Sequence, residues 1–249
     1  MNVTLLDNER IDDLEIDGLR IIQKKDGFCF GMDSVLISDF ARIFKRESIV
    51  ADLGTGTGII SVLISAKNEK IKKVYGFDIQ EDMVEMAQRS VKMNELENKI
   101  EIVQRDIVGI SKGRFNKFFD VVVTNPPYKK VSTGLVNDNE KKLISRHEIK
   151  CTLEDVIYES SKILKDNGIF YMVHRPERLV EIIELMRKNK IEPKEIRFVY
   201  PHINDEANLV MIKGVKCGKT FLKILQPLIV YNEQNEYTDE IYKIYGKKL

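Results

Sequence analysis

The chain has 249 residues with a formal net charge of +1, and its composition of 43% hydrophobic and 32% charged residues is that of a globular protein with a sizeable core. No apolar run approaches the roughly 18 residues of a membrane span, and the acidic N-terminal stretch lacks a secretion-signal pattern, so we expect a cytoplasmic protein. The three cysteines and three histidines are scattered, which argues against a disulfide framework and against a bound metal.

Residues 1–47 are predicted to form an N-terminal appendage to a core over residues 48–249. Within the appendage, Asp33 is expected to be the N-cap of a helix over Ser34–Phe44. No Pro-rich or Ser-rich linker follows this helix. We therefore treat residues 1–249 as a single domain.

From residue 48 onward, short β-rich runs alternate with longer amphipathic runs. This alternation predicts a mostly parallel sheet with helices on both faces, an α/β architecture. No long helical pattern separates the last two strands, so they are predicted to form an antiparallel pair. The predicted strands are 48–53, 73–78, 100–104, 120–124, 168–173, 194–200 and 208–215, and the predicted helices after the appendage are 59–68, 81–94, 153–164 and 177–189.

A glycine-rich loop follows the strand 48–53. The run Asp52-Leu53-Gly54-Thr55-Gly56-Thr57-Gly58 leads into a helix, and glycine permits both a tight turn and a close approach of the backbone to a ligand. The loop lacks the Lys of a P-loop, and Ile59 stands where a dinucleotide fingerprint has its third glycine. The observed spacing resembles motif I of S-adenosylmethionine methyltransferases. The resemblance implies that Asp52, Gly54, Gly56 and Gly58 bind this cofactor.

An acidic residue ends the strand 73–78. Asp78 stands twenty residues after Gly58, about the distance at which an acid binds ribose hydroxyls in nucleotide-binding folds. A carboxylate can accept from both the 2′ and the 3′ hydroxyl, so Asp78 indicates a nucleoside-containing ligand without choosing between nicotinamide cofactors and S-adenosylmethionine. The alternative without a ligand is a helix N-cap ahead of Glu81.

The tetrapeptide Asn125-Pro126-Pro127-Tyr128 follows the strand 120–124 and is the most specific motif in the chain. Each proline fixes its own φ and holds the preceding residue extended, so the Asn125 side-chain oxygen and the Pro126 carbonyl form a rigid pair of acceptors. This pair can bind the two hydrogens of an adenine amino group, whose nitrogen then becomes more tetrahedral, while Tyr128 stacks on the base. Direct methyl transfer would need positioning and electrostatic preorganisation but no strong base.

The tetrapeptide resembles motif IV of amino-group methyltransferases. With the glycine loop, it implies the Rossmann-like fold of class I methyltransferases, whose seven-stranded sheet is mostly parallel and has one reversed strand among the seven. The resemblance also implies that Asp33, Ile79, Asp106, Ile107 and Asn125 bind the cofactor, with Asp106 at the adenine amino group and Ile107 against the ring. A cytosine-C5 mechanism is disfavoured because none of the cysteines follows a proline.

Similarity over nearly the whole chain indicates which amino group is methylated. Residues 28–34, 145–148 and 226–231 are similar to those of bacterial tRNA adenine-N6 methyltransferases, which modify the adenine beside the anticodon of valine tRNA. The resemblance implies tRNA as the partner, and we expect a monomer. Guanine-N2, other adenine-N6 and protein glutamine-N5 methyltransferases share the tetrapeptide and remain alternatives. A non-catalytic nucleoside-binding module is disfavoured because it would not need an intact Asn125–Tyr128 platform.

Residues 129–150 form a long polar connection, and connections of this length are usually functional or disordered. We interpret this one as a mobile lid with a flexible surface loop as the alternative. The lid would carry toward the tRNA phosphates the basic residues Lys129, Lys130, Lys141, Lys142 and Arg146, of which Lys129, Lys130 and Arg146 are the predicted substrate-binding residues. A second basic group lies at Arg175–Lys190.

Overall fold

The computed structural model describes residues 4–25, 31–128 and 151–247. None of the helices in these ranges is long and apolar enough to cross a membrane. The elements are β1 (Glu9–Asp13), β2 (Arg20–Lys24), α1 (Met32–Phe40), β3 (Ser48–Leu53), α2 (Ile59–Lys67), β4 (Ile71–Asp78), α3 (Glu81–Met93), β5 (Ile100–Gln104), β6 (Phe119–Thr124), α4 (Leu153–Ile163), β7 (Leu164–His174), α5 (Leu179–Lys188), β8 (Ile191–Tyr200), β9 (Leu209–Lys216), β10 (Lys223–Ile224), β11 (Leu228–Ile229) and α6 (Asp239–Ile244).

The main sheet has the order β10-β8-β9-β7-β6-β3-β4-β5, and β11 also pairs with β8. Strand β9 runs antiparallel to both β7 and β8, and the other paired strands of this sheet run parallel. Strands β3 to β9 are therefore the predicted mostly parallel sheet with one reversed strand, and the predicted antiparallel pair near the end of the chain is confirmed. The two short strands β10 and β11, which the sequence did not predict, extend the sheet beyond β8.

The sheet is buried on both faces. In β6, Val121 and Val123 pack into the core on one side and Val122 into the core on the other, because successive side chains of a strand point to opposite faces. Residues of α1, α2, α3 and α6 complete the first core, and residues of α4 and α5 complete the second. Because helices pack on both faces of the sheet, the strand ends are held in fixed relative positions.

The appendage contains an unpredicted hairpin of β1 and β2, which docks on helix α3. The Ser90 hydroxyl accepts from the Ile22 N–H at 3.0 Å, and Arg89 forms an ion pair with the buried Glu9 at 2.6 Å. The Arg89 guanidinium lowers the pKa of Glu9. Leu14 and Ile21 belong to the same core as Val50 of β3, so the appendage is continuous with the main hydrophobic core.

The prediction that Asp33 is the N-cap of a helix over 34–44 is wrong. Helix α1 begins at Met32 with Gly31 as its N-cap, and it ends at Phe40. Asp33 therefore lies in the first turn, where its carboxylate is available for a tertiary contact rather than for capping. The helix ends early because the backbone leaves the helical conformation at Ala41, whose ψ is 72°. The carbonyl of the next residue, Arg42, accepts from the hydroxyl of Tyr171 at 2.8 Å.

The start of strand β7 and the start of helix α5 also differ from the prediction. Strand β7 begins at Leu164, directly after α4, because Leu164 already has extended dihedral angles, φ −69° and ψ 137°. Asn167, with a left-handed φ of 64°, lies inside an irregular first part of the strand and does not end a longer helix. The predicted helix over 177–189 begins as a short 3₁₀ turn at Pro176–Arg178 and becomes α-helical from Leu179.

Candidate active site

The predicted functional residues meet at one edge of the sheet. Strands β3, β4, β5, β6 and β7 run parallel, so their carboxyl ends lie side by side, and this is the edge at which open α/β sheets bind ligands. The hydroxyl of Thr124, the last residue of β6, donates to the carbonyl of Leu53 at the end of β3 at 2.9 Å. The glycine loop and the tetrapeptide therefore start next to each other.

The three glycines of the loop have different surroundings. Gly54 and Gly56 have φ values of +73° and +54°, and a Cβ atom at either position would meet nothing within 4 Å. Gly58 has φ +89°, and a Cβ there would lie 3.2 Å from the Cβ of Ala87 in helix α3. Gly54 and Gly56 thus leave open space over the backbone, whereas Gly58 lets α2 and α3 pack closely.

Asp78 is held against the glycine loop. Its carboxylate accepts the Gly56 N–H at 2.9 Å on one oxygen and the Gln80 N–H at 2.9 Å on the other. The N–H groups of Gly54 and Thr55 both donate to the carbonyl of Phe77 at 2.9 Å, which fixes the loop to the end of β4. A carboxylate has about four lone-pair sites, so both oxygens keep acceptor capacity for ribose hydroxyls.

Asp52 is fully buried and only one of its oxygens has partners. That oxygen accepts from the Thr55 hydroxyl at 2.6 Å and from the N–H and hydroxyl of Ser61 at 3.1 and 2.8 Å. The other oxygen has no partner among the described residues. Burial raises the pKa of Asp52 to about 6. An unpaired carboxylate oxygen beside an open glycine loop fits a ligand with an ammonium group, as S-adenosylmethionine has.

The loop after β5 lies next to Asp78, because the Arg105 N–H donates to the Asp78 carbonyl at 2.8 Å. Asp106 is exposed and accepts the Val108 N–H at 2.9 Å, while Ile107 is half-buried against the second core. Ile79 follows β4 and is 37% exposed. The predicted cofactor residues of β4 and β5 are thus neighbours at the same edge.

The tetrapeptide contacts helix α1 through Tyr128. Its hydroxyl lies within hydrogen-bonding distance of the Asp33 carboxylate and 2.6 Å from the side-chain oxygen of Asn125. The side-chain nitrogen of Asn125 donates to the Ser34 hydroxyl at 3.3 Å. Burial and the Asp33 carboxylate together raise the pKa of Tyr128, which keeps the hydroxyl protonated. Since a hydroxyl has one hydrogen, Tyr128 can donate to only one of its two acceptors at a time.

Two residues that the sequence did not assign to the site lie against Tyr128. The ring of His174 contacts the Tyr128 ring edge-on at 5.2 Å, and the guanidinium of Arg175 lies 5.2 Å from the centre of that ring. His174 is fully buried, and its Nδ1 accepts the Arg175 N–H at 2.8 Å. Burial lowers the pKa of His174 to about 4, so the imidazole is neutral at physiological pH. In the sequence, both residues stand at the carboxyl end of the strand that became β7, and this position is the signal that could have assigned them to the site.

Three predicted substrate residues, Lys129, Lys130 and Arg146, lie outside the described residues, as does the rest of the predicted lid. Within the described ranges, no group of three or more His, Cys, Asp or Glu side chains is arranged to hold a metal ion.

Known proteins resemble this chain in sequence and in fold. The sequence profile of the methyltransferase small domain family matches residues 31–189. A tRNA1(Val) (adenine(37)-N6)-methyltransferase from Proteus mirabilis is 23% identical over 219 residues, covering 84% of this chain and 82% of the relative. The enzyme of the same name from Parabacteroides distasonis is 27% identical, covering 69% and 70% of the two chains.

Solved structures share the fold. A predicted O-methyltransferase from Agrobacterium tumefaciens has a TM-score of 0.70 at 22% identity, covering 86% of this chain and 96% of that one. A ribosomal protein L11 methylase from Lactobacillus delbrueckii has a TM-score of 0.53 at 17% identity, covering 78% and 83%. At these identities the likeness shows the fold alone, which is that of class I methyltransferases.

Proposed function

Because the chain belongs to the methyltransferase small domain family, we propose that its substrate is the N6 amino group of the adenine beside the anticodon of a valine tRNA. The enzyme is an S-adenosyl-L-methionine-dependent methyltransferase. The observation that carries the proposal is the Asn125–Tyr128 platform next to the glycine loop at one edge of the sheet. The names of the relatives from Proteus mirabilis and Parabacteroides distasonis support tRNA adenine as the substrate.

The residues around the glycine loop would hold the cofactor. The open backbone at Gly54 and Gly56 would admit it, Asp78 would accept from its ribose hydroxyls, and the unpaired oxygen of Asp52 would be the partner for its ammonium group. Asp106, Ile79 and Ile107 would line the adenine end of the cofactor. When bound, the cofactor supplies an electrophilic methyl group.

The tetrapeptide would prepare the nucleophile. The side-chain oxygen of Asn125 and the carbonyl of Pro126 accept the two hydrogens of the adenine amino group, and the prolines keep both acceptors in place. Tyr128 stacks on the base, which adds roughly 1–3 kcal/mol. The amino nitrogen becomes more tetrahedral, and its lone pair is directed along the line of transfer. Its extra proton leaves to solvent afterward, so no described side chain has to act as a strong base.

Asp33 has a defined part in this arrangement. A carboxylate is a stronger acceptor than an amide oxygen, so the Tyr128 hydroxyl donates preferentially to Asp33. The side-chain oxygen of Asn125, which has two lone pairs, then keeps acceptor capacity for the substrate. Asp33 thus acts as a positioning residue through Tyr128.

Transfer of a labelled methyl group tests the proposed substrate. The purified protein is incubated with labelled S-adenosylmethionine and either bulk tRNA or a release factor, and the methylated nucleoside is identified by mass spectrometry. We expect N6-methyladenosine in valine tRNA. Labelling of glutamine in the release factor, or of guanine in RNA, would contradict the proposal and favour the protein glutamine-N5 or guanine-N2 alternative.

A further inference from the structure

The basic residues between 175 and 190 separate into two kinds. Arg178, Arg187 and Lys188 each have an acidic partner: Glu181 at 2.8 Å, Glu192 at 3.5 Å and Glu154 at 2.7 Å, respectively. Arg175 and Lys190 have no acidic partner among the described residues, and of these two it is Arg175 that lies beside Tyr128, where it is exposed. Arg175 is therefore the member of this group whose charge is both uncompensated and located at the candidate active site.

The position of Arg175 is fixed from several sides. Its N–H donates to Nδ1 of the buried His174 at 2.8 Å, and its Nη1 donates to the Asn208 carbonyl at 2.8 Å. Its guanidinium lies 5.2 Å from the centre of the Tyr128 ring, a cation–π distance. A guanidinium has five N–H donors, and those not used by Asn208 have no acceptor among the described residues.

An exposed guanidinium with free donors, held in one orientation, is suited to bidentate binding of a phosphate. We infer that Arg175 binds a backbone phosphate of the RNA strand at the target adenine or at the adjacent nucleotide. The inference rests on the proposed function, because it takes the base to be the group that stacks on Tyr128. The guanidinium lies against that same ring, so the phosphate within its reach belongs to the nucleotide on the ring or to its neighbour.

Binding of valine tRNA at several salt concentrations tests this inference. Each phosphate contact contributes about 0.7–0.9 to the slope of log affinity against log salt. We expect Arg175→Ala to lose about one such contact and to bind tRNA roughly tenfold or more weakly at low salt. Arg175→Lys should keep most of the slope but bind more weakly than the wild type, because an ammonium cannot replace the bidentate fork.

Arg187→Ala is the matched control. It removes the same charge from the last turn of helix α5, a helix length of roughly 15 Å from the end that follows Arg175, where Arg187 pairs with Glu192. We expect its tRNA slope and affinity to equal those of the wild type. The affinity for S-adenosylhomocysteine and the melting temperature should stay unchanged in all three variants, because Arg175 and Arg187 are exposed and lie outside the proposed cofactor residues.

The outcomes separate the two proposals. If the wild type methylates valine tRNA but Arg175→Ala keeps the wild-type slope, or if Arg187→Ala loses as much of the slope as Arg175→Ala, the phosphate contact is refuted and the proposed function stands. If the wild type neither binds nor methylates tRNA, both proposals fail.

Discussion

The side-chain oxygen of Asn125 is the acceptor on which the proposed chemistry depends most. Removing one preorganised hydrogen-bond partner of a reacting group typically costs 10²–10³-fold in turnover. We therefore expect Asn125→Ala to lower kcat by roughly 10²–10³-fold at saturating substrates. Its affinity for S-adenosylhomocysteine, measured by calorimetry, should remain close to that of the wild type. An unchanged kcat would exclude the amino-polarising role.

Asp33 and Tyr128 provide a second test at the same site. Without the Asp33 carboxylate, the Tyr128 hydroxyl turns its hydrogen to the Asn125 oxygen, 2.6 Å away, and competes with the substrate for that acceptor. We expect Asp33→Ala to lower kcat by about tenfold, roughly the value of one charge-assisted hydrogen bond, whereas Tyr128→Phe should be mild.

The double variant separates this effect from a direct role of Asp33. Because Phe has no hydroxyl to redirect, Asp33→Ala combined with Tyr128→Phe should recover the kcat of Tyr128→Phe alone. The assay is run at saturating S-adenosylmethionine to remove any effect on cofactor affinity. A double variant as slow as Asp33→Ala would show that Asp33 does not act through Tyr128.

At the scale of elements, the junction between β3 and α2 must both admit a ligand and pack against α3. Gly54 and Gly58 have similar left-handed φ values of +73° and +89°, but only at Gly58 would a Cβ be crowded, by Ala87. Alanine at either position is expected to destabilise the fold by about 1 kcal/mol or more, because a residue with a side chain is strained at these φ values. We expect Gly58→Ala to lose roughly a further 1–3 kcal/mol of stability, because its methyl group overpacks the contact between α2 and α3.

Urea denaturation and calorimetry distinguish the two glycine variants. Gly54→Ala should unfold at only a modestly lower urea concentration but should bind S-adenosylhomocysteine more weakly, because the new methyl group lies in the open space over the loop. Gly58→Ala should have the lower free energy of unfolding. Equal losses of stability would mean that the contact with Ala87 is not limiting.

At the scale of the whole molecule, two buried groups make opposing contributions to the pH dependence of stability. Burial raises the pKa of Asp52 from 3.8 to about 6. Between pH 3.8 and pH 6 the folded protein therefore binds more protons than the unfolded chain, and the contribution of Asp52 to stability falls as the pH rises through this range. The pKa of His174 is lowered from 6.5 to about 4, so its contribution is full above pH 6.5 and is lost as the pH falls toward 4.

Asp52→Asn should therefore stabilise the free protein. The neutral amide keeps an oxygen for the Thr55 and Ser61 donors but removes a buried charge. The expected gain in the free energy of unfolding is about 3 kcal/mol at pH 7.5 and roughly half of that at pH 5. The free energy of unfolding is measured in urea at both values. The same variant should bind S-adenosylhomocysteine more weakly, since the proposed partner of the ammonium group is lost. A variant less stable than the wild type at pH 7.5 would contradict the burial argument.

His174→Asn should show the opposite change. The amide oxygen can accept the Arg175 N–H as Nδ1 does, but the group no longer titrates. When the pH is lowered from 7.5 to 5, the free energy of unfolding should fall by about 2 kcal/mol less in the variant than in the wild type. A packing cost of the substitution is the same at both pH values and does not affect this difference. If the difference between the two proteins is independent of pH, His174 is not the titrating group.

Much of the fold was predictable because its signals are local. The alternation of apolar runs in β3 to β9 sets which segments are strands, and the absence of a helix between the last two long strands sets the reversal of β9. The β1–β2 hairpin and the strands β10 and β11 were not predicted. A strand of two residues has no measurable periodicity, and β10 and β11 exist because β8 offers a free edge to pair with.

The sequence by itself determined the glycine loop, the acid at the end of β4 and the rigid Asn125–Tyr128 platform, because each depends on backbone restrictions within a few consecutive residues. Only the tertiary structure decided the surroundings of Tyr128. Asp33 lies 95 residues earlier in the chain, and Arg175 reaches the same ring from the end of β7. It also left one Asp52 oxygen without a partner and made Gly58 a packing residue. These features depend on which side chains the packed sheet brings together, and no spacing along the chain encodes a contact of that kind.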